Sequence, residues 1–131
     1  MLPPLPKVLN KREANWTTTV FRKWLEIKGM TGVFEIKYST GESLPFDAVK
    51  EHQVWNLLKV RHQTFVYKIP DLGEKAPFDI FSMKEIPAYV VIKYPKFFCL
   101  ITIDAWCNES KISKRRSLTS SRAKDIAFLV V

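Results

Sequence analysis

Apolar residues recur along the first half of the chain at two different periods. Between about residues 11 and 28, Trp16, Val20, Phe21, Trp24, Leu25 and Ile27 follow helical spacing, and Gly29 supplies a C-terminal stop, so a first helix is predicted there. In Gly32-Val33-Phe34-Glu35-Ile36-Lys37-Tyr38 the period falls to two. As a strand, this stretch puts Val33, Glu35 and Lys37 on one face and Phe34, Ile36 and Tyr38 on the other, and the second face reads as core. A polar turn over residues 39–43 leads into Leu44-Pro45-Phe46 and a second helix, roughly 45 to 60, with Pro45 in its first turn. Val49, Gln53, Leu57 and Val60 lie along one stripe of that helix, which places the Gln53 amide on the buried side.

Further on, Phe65-Val66-Tyr67-Lys68-Ile69 reads as a strand ending at Pro70-Asp71, and Pro77-Phe78-Asp79-Ile80-Phe81 is a short apolar segment around one acid. Residues 88–94 and 97–106 are two strongly β-forming runs, predicted to make a hairpin turned at Pro95-Lys96. Ser117 or Thr119 is placed to cap a short helix running to about Ala127. The last four residues, 128–131, are too apolar to hang in water and should pack or pair. At the other end, residues 1–10 hold three prolines and no periodicity, which predicts an extended or disordered arm before a folded domain over 11–131.

A chain of 131 residues fits one domain, and 47% hydrophobic with 26% charged residues argues for a folded one. The net charge of +8 suggests a polyanionic partner. Nucleic acid is favoured over a membrane, because no apolar run approaches the roughly 20 residues of a spanning helix. The start lacks a signal peptide's apolar core, so a cytoplasmic location is expected. Cys99 and Cys107 show no paired spacing for zinc and read as reduced thiols, and His52 and His62 cannot build a metal site unaided. There is no internal repeat, no Walker-type glycine loop and no Gly-x-Ser-x-Gly.

The candidate chemistry starts at Glu35 and Lys37. A carboxylate holds a divalent cation through oxygen, and a lysine beside it binds phosphate or positions a water, an arrangement suited to cutting phosphodiesters. The bland alternative is a solvated ion pair of little energetic weight. Gln53, if buried, needs partners, either at the end of the neighbouring strand or as a capped core amide. Glu13 falls on the edge of the first helix's apolar stripe, facing a site or simply favoured by the helix dipole. Asp79 projects from the face opposite Phe78 and Ile80 and invites a charge partner, unless it is a strand-end turn residue. Positive charge is spread over Arg12, Arg22, Lys23 and the cluster Lys114, Arg115 and Arg116, which makes these the expected phosphate contacts.

Four features together resemble the PD-(D/E)XK nuclease superfamily, and within it the phage-type and RecU-like Holliday junction resolvases. They are an early helix with Glu13; Phe34-Glu35-Ile36-Lys37; Leu44-Pro45-Phe46 followed by His52-Gln53; and Tyr67-Lys68-Ile69-Pro70-Asp71 running into Pro77-Phe78-Asp79 and Ala88-Tyr89-Val90-Val91. The similarity covers roughly residues 11–106. It implies an α/β fold, a single-domain mixed sheet flanked by helices as in restriction endonucleases. It also implies a homodimer and Mg²⁺-dependent cleavage of branched double-stranded DNA by paired symmetric nicks, with Mn²⁺ able to substitute. Carried over by position, Glu35 is a metal ligand, Lys37 the catalytic lysine, Gln53 the glutamine supporting it and Glu13 the helical acid, while the main-chain carbonyl of Ile36 joins the metal site. The superfamily's first acidic strand residue is missing before Glu35. Asp79 is expected to fill that ligand position, with Asp71 as runner-up. Two rivals stay open: a restriction-like or repair nuclease acting on other DNA, and a basic DNA-binding recombination accessory protein without catalysis.

Overall fold

The structure is a computed structural model that describes residues 14–68 and 80–131. Arg12, Glu13, Asp71 and Asp79 therefore lie outside the described residues, as does the arm over 1–10.

The first helix, α1, spans residues 14–28 and ends where Gly29 turns left-handed at φ 65° and its N–H bonds back to the Leu25 carbonyl. A π-helical turn, Thr17–Phe21, interrupts it. Three consecutive threonines favour such a turn, since Thr18 and Thr19 donate their hydroxyls to the carbonyls of Ala14 and Asn15. Five residues then separate equivalent positions, so Phe21 rather than Val20 stacks beneath Trp16, at 5.4 Å. This corrects the expected stripe: Phe21 is buried, whereas Val20 and Ile27 face solvent.

Strand β1 (Val33–Tyr38) follows, then β2 (Ser43–Pro45), a 3₁₀ turn (Phe46–Ala48) and helix α2 (Glu51–His62). Pro45 is thus not in a helical first turn. It closes β2, which pairs antiparallel with β7 (Ser117–Thr119), and the helix starts six residues later. A two-stranded ribbon, β3 (Phe65–Lys68) with β4 (Ile80–Met83), precedes β5 (Ala88–Lys93) and β6 (Phe98–Thr102), which form the expected hairpin around Pro95-Lys96. The run over 97–106 is not all strand. Thr102 caps a helix, α3 (Ile103–Ile112), by accepting from the Ala105 N–H, and Trp106 buries on that helix's inner side. Thr119 caps the last helix, α4 (Ser120–Ile126), and β8 (Leu129–Val130) pairs with β6, so the apolar C-terminus does pair.

Among the described residues the main sheet runs β1-β5-β6-β8, with β1 parallel to β5 and the other pairs antiparallel. Side-chain alternation divides the core in two. Tyr89, Val91, Phe98 and Leu100 meet Trp16 and Phe21 of α1 on one face, while Val90, Ile92, Cys99 and Ile101 meet Leu57 of α2, Trp106 of α3 and Ala123 of α4 on the other. Strand β5 is apolar almost throughout because both its faces are covered. The result is a mixed α/β sheet flanked by helices, as expected.

Candidate functional site

Strand β1 is an edge strand among the described residues, and its start is held close. Val33 N–H donates to the Pro87 carbonyl, and a Cβ on Gly32 would come within 2.8 Å of that same oxygen, which is why glycine precedes the strand. From that register the alternation follows. Phe34, Ile36 and Tyr38 pack toward α1, whereas Glu35 and Lys37, opposite Val90 and Ile92, project toward the face that α2 covers. There the Lys37 ammonium lies 3.3 Å from the Glu35 carboxylate, and their side chains are only 16% and 28% exposed. That is too recessed for a freely solvated surface pair. A carboxylate with one cation on one oxygen keeps acceptor capacity for a second positive partner.

The main chain adds a group. Val33 and Ser39 both direct their N–H groups at the β5 side, so residues of odd number pair with β5 and those of even number turn the other way. The Ile36 carbonyl therefore points to the open edge, next to Glu35. An oxygen-loving cation such as Mg²⁺ asks for one or two carboxylates together with carbonyl, water and phosphate oxygens. Glu35 and the Ile36 carbonyl fit part of that donor set. The second acid expected from the sequence, Asp79 with Asp71 as runner-up, lies outside the described residues. Among the described residues, no three His, Cys, Asp or Glu side chains gather as a ligand group.

Gln53 takes a different role from the expected one. It is half-buried on α2, but its Oε1 accepts the Lys50 N–H at 2.9 Å, which closes the start of its own helix. Among the described residues it makes no hydrogen bond to Glu35 or Lys37. His52 beside it faces outward, into an open groove along α2 with Trp55 and Leu58. His62, at the other end of α2, meets Asp104 of α3 at 2.8 Å.

The basic residues fall into separate places. Arg22 and Lys23 stand exposed on α1, on the opposite side of the sheet from Glu35 and Lys37, and Arg22 is paired with Glu26 at 3.3 Å. Lys114, Arg115 and Arg116 form the bend between α3 and β7, on the α2 side. Sequence reasoning missed what surrounds that bend. Arg122 of α4 grips the buried Glu109 of α3, with Nε 3.0 Å from both carboxylate oxygens and Nη2 3.0 Å from Oε2. Spacing held no signal for this contact, since the two residues sit on different helices. Cys99 is unreactive in this fold: burial pushes its thiol up to about 12, so no thiolate forms near neutrality.

No helix among the described residues is long and apolar enough to cross a membrane. Compared with known proteins, the chain matches no family model, no curated protein and no solved structure.

Proposed function

We propose that this protein is a metal-dependent DNA endonuclease, with four-way junctions as its substrate and two copies acting across a two-fold axis. The observation that carries the reading is the recessed Glu35–Lys37 pair on an edge strand, with the Ile36 carbonyl turned to the same open edge. A net charge of +8 supports a polyanionic substrate. Mg²⁺ held by Glu35, the Ile36 carbonyl and an acid from Asp79 or Asp71 would supply charge neutralisation at the scissile phosphate and a more acidic water. The Lys37 ammonium donates hydrogen bonds to the attacking water or to a phosphate oxygen and offsets the negative charge that grows in the transition state. Glu35 holds Lys37 in place for this, and α2 shields the pair from bulk water. Two copies related by a two-fold axis match the symmetry of a four-way junction, so that two sites nick two strands.

The test runs junction and plain duplex in parallel, with Mg²⁺, with Mn²⁺ and with chelator, on wild type and on Lys37→Met. Metal-dependent paired nicks in the junction, lost in Lys37→Met, are expected. Cutting of duplex and junction alike would assign the same chemistry to a repair or restriction-like nuclease. Tight binding without cutting in either metal would leave a DNA-binding accessory protein.

A further inference from the structure

We propose that the cavity between α3, β7 and α4 is a phosphate-binding pocket that takes one phosphodiester of the DNA backbone; that choice of ligand source rests on the nucleic-acid reading above. The cavity measures about 430 Å³, and its lining includes Lys114, Arg115 and Arg122 together with Ser117 and Ser121. The cations come from two elements that are separately fixed. Arg115 is set by its bend, where the Ser113 hydroxyl both accepts the Arg115 N–H at 3.1 Å and donates to the Arg115 carbonyl at 3.2 Å. Arg122 is set by Glu109, whose side chain is 7% exposed while that of Arg122 is 48% exposed. Their contact uses Nε and Nη2 and leaves the outer edge of the guanidinium, with Nη1, free for an oxyanion. Glu109 also holds Arg122 firmly charged, raising its pKa above the ordinary arginine value.

Glu109 offsets the charge of Arg122 while it positions it. Asp125 lines the same cavity and opposes an anion. The lining thus sets three cations, Lys114, Arg115 and Arg122, against two acids, Glu109 and Asp125, a net of +1, and Lys114 and Arg115 stand in no ion pair among the described residues. The hydroxyls of Ser117 and Ser121 make no hydrogen bond among the described residues, and a phosphate oxygen accepts from both a hydroxyl and a guanidinium. Arg116, grouped by sequence with Lys114 and Arg115 as a phosphate contact, is exposed but does not line the cavity; the pocket proposal therefore takes it out of the contact set, and it serves as the internal control.

The experiment titrates inorganic phosphate into the full chain and follows melting temperature, with chloride and acetate at equal ionic strength as controls. A saturable rise specific to phosphate is expected in wild type and in Arg116→Ala, lost in the double variant Lys114→Ala/Arg115→Ala and reached at lower phosphate in Asp125→Asn. Junction binding measured against salt should then show a log–log slope shallower by about 1 in the double variant, as for the loss of one phosphate contact, and nearly unchanged in Arg116→Ala. The absence of a saturable phosphate effect in wild type overturns the proposal. So does an effect that survives the double variant, a wild-type slope in that variant, or an equal slope change in Arg116→Ala, which would mean diffuse charge alone. Cleavage is scored separately: a protein that passes these tests yet never cuts DNA sinks the nuclease reading and leaves the pocket standing.

Discussion

Two carboxylate–cation pairs on the same side of the sheet are built to opposite specifications. Glu109 is buried and receives a two-point grip from Arg122, whereas Glu35 is partly open and meets Lys37 through one contact of 3.3 Å. A buried carboxylate without a partner is strongly destabilising, so the first pair is fixed by necessity and holds α4 against α3. The second pair keeps spare carboxylate lone pairs on a strand that is at the sheet edge among the described residues. Similar charges thus give a closed clasp in one place and a partly open pair with spare acceptor capacity in the other, and what separates them is burial together with the number of bonds.

The sharpest way to break this contrast is Glu35→Gln, which preserves shape and removes one charge. If the open pair is the reactive one, single-turnover cleavage of junction DNA falls by at least about 10²- to 10³-fold, while the melting temperature barely moves and junction binding holds or tightens. Near-normal cutting would remove Glu35 from the active site. Arg122→Ala should do the reverse, with single-turnover cleavage per folded molecule at saturating protein much less affected and a clearly lower urea midpoint, because the buried Glu109 carboxylate loses its partner. Urea melts of Arg122→Ala and Glu109→Ala sharpen the point, since removing the buried acid should cost less than leaving it unpaired. Thr119→Ala takes away the hydroxyl that caps the helix carrying Arg122 and should cost about 1 kcal/mol by the same melts. Arg22→Ala disrupts an exposed pair one helical turn apart, Arg22 with Glu26, and should change stability by no more than about 0.5 kcal/mol. An effect of Arg22→Ala as large as that of Arg122→Ala would show that burial is not what separates these pairs.

Much of this frame is legible in the chain itself. Alternation alone put Glu35 and Lys37 on one face and Phe34, Ile36 and Tyr38 on the other, and the Gly29 stop, the Pro95-Lys96 turn and the Thr119 cap follow from local backbone chemistry. What was not legible depended on competition between local preferences or on distant contacts. Ile103 follows an uninterrupted β-forming run, and only the Thr102 cap marks the change to a helix. Gln53 does lie on the inward stripe, yet the nearest unmet demand was the Lys50 N–H three residues back rather than a group on β1. The Glu109–Arg122 contact joins residues 13 apart on two helices and exists only once both have packed.

The π-helical turn in α1 has a consequence for chain length. An ordinary α-helix brings residues four apart into stacking register, and here Trp16 and Phe21 reach it five apart. Deleting one of Thr17, Thr18 or Thr19 would turn that spacing into four and leave the same two rings stacked on each other and edge-on to Phe98. The helix thus behaves as though it had absorbed a one-residue insertion and confined it to its solvent side. Chains one residue shorter in this segment can share the same aromatic core, and an alignment of the two would place its gap inside a helix, among the threonines, instead of in a loop.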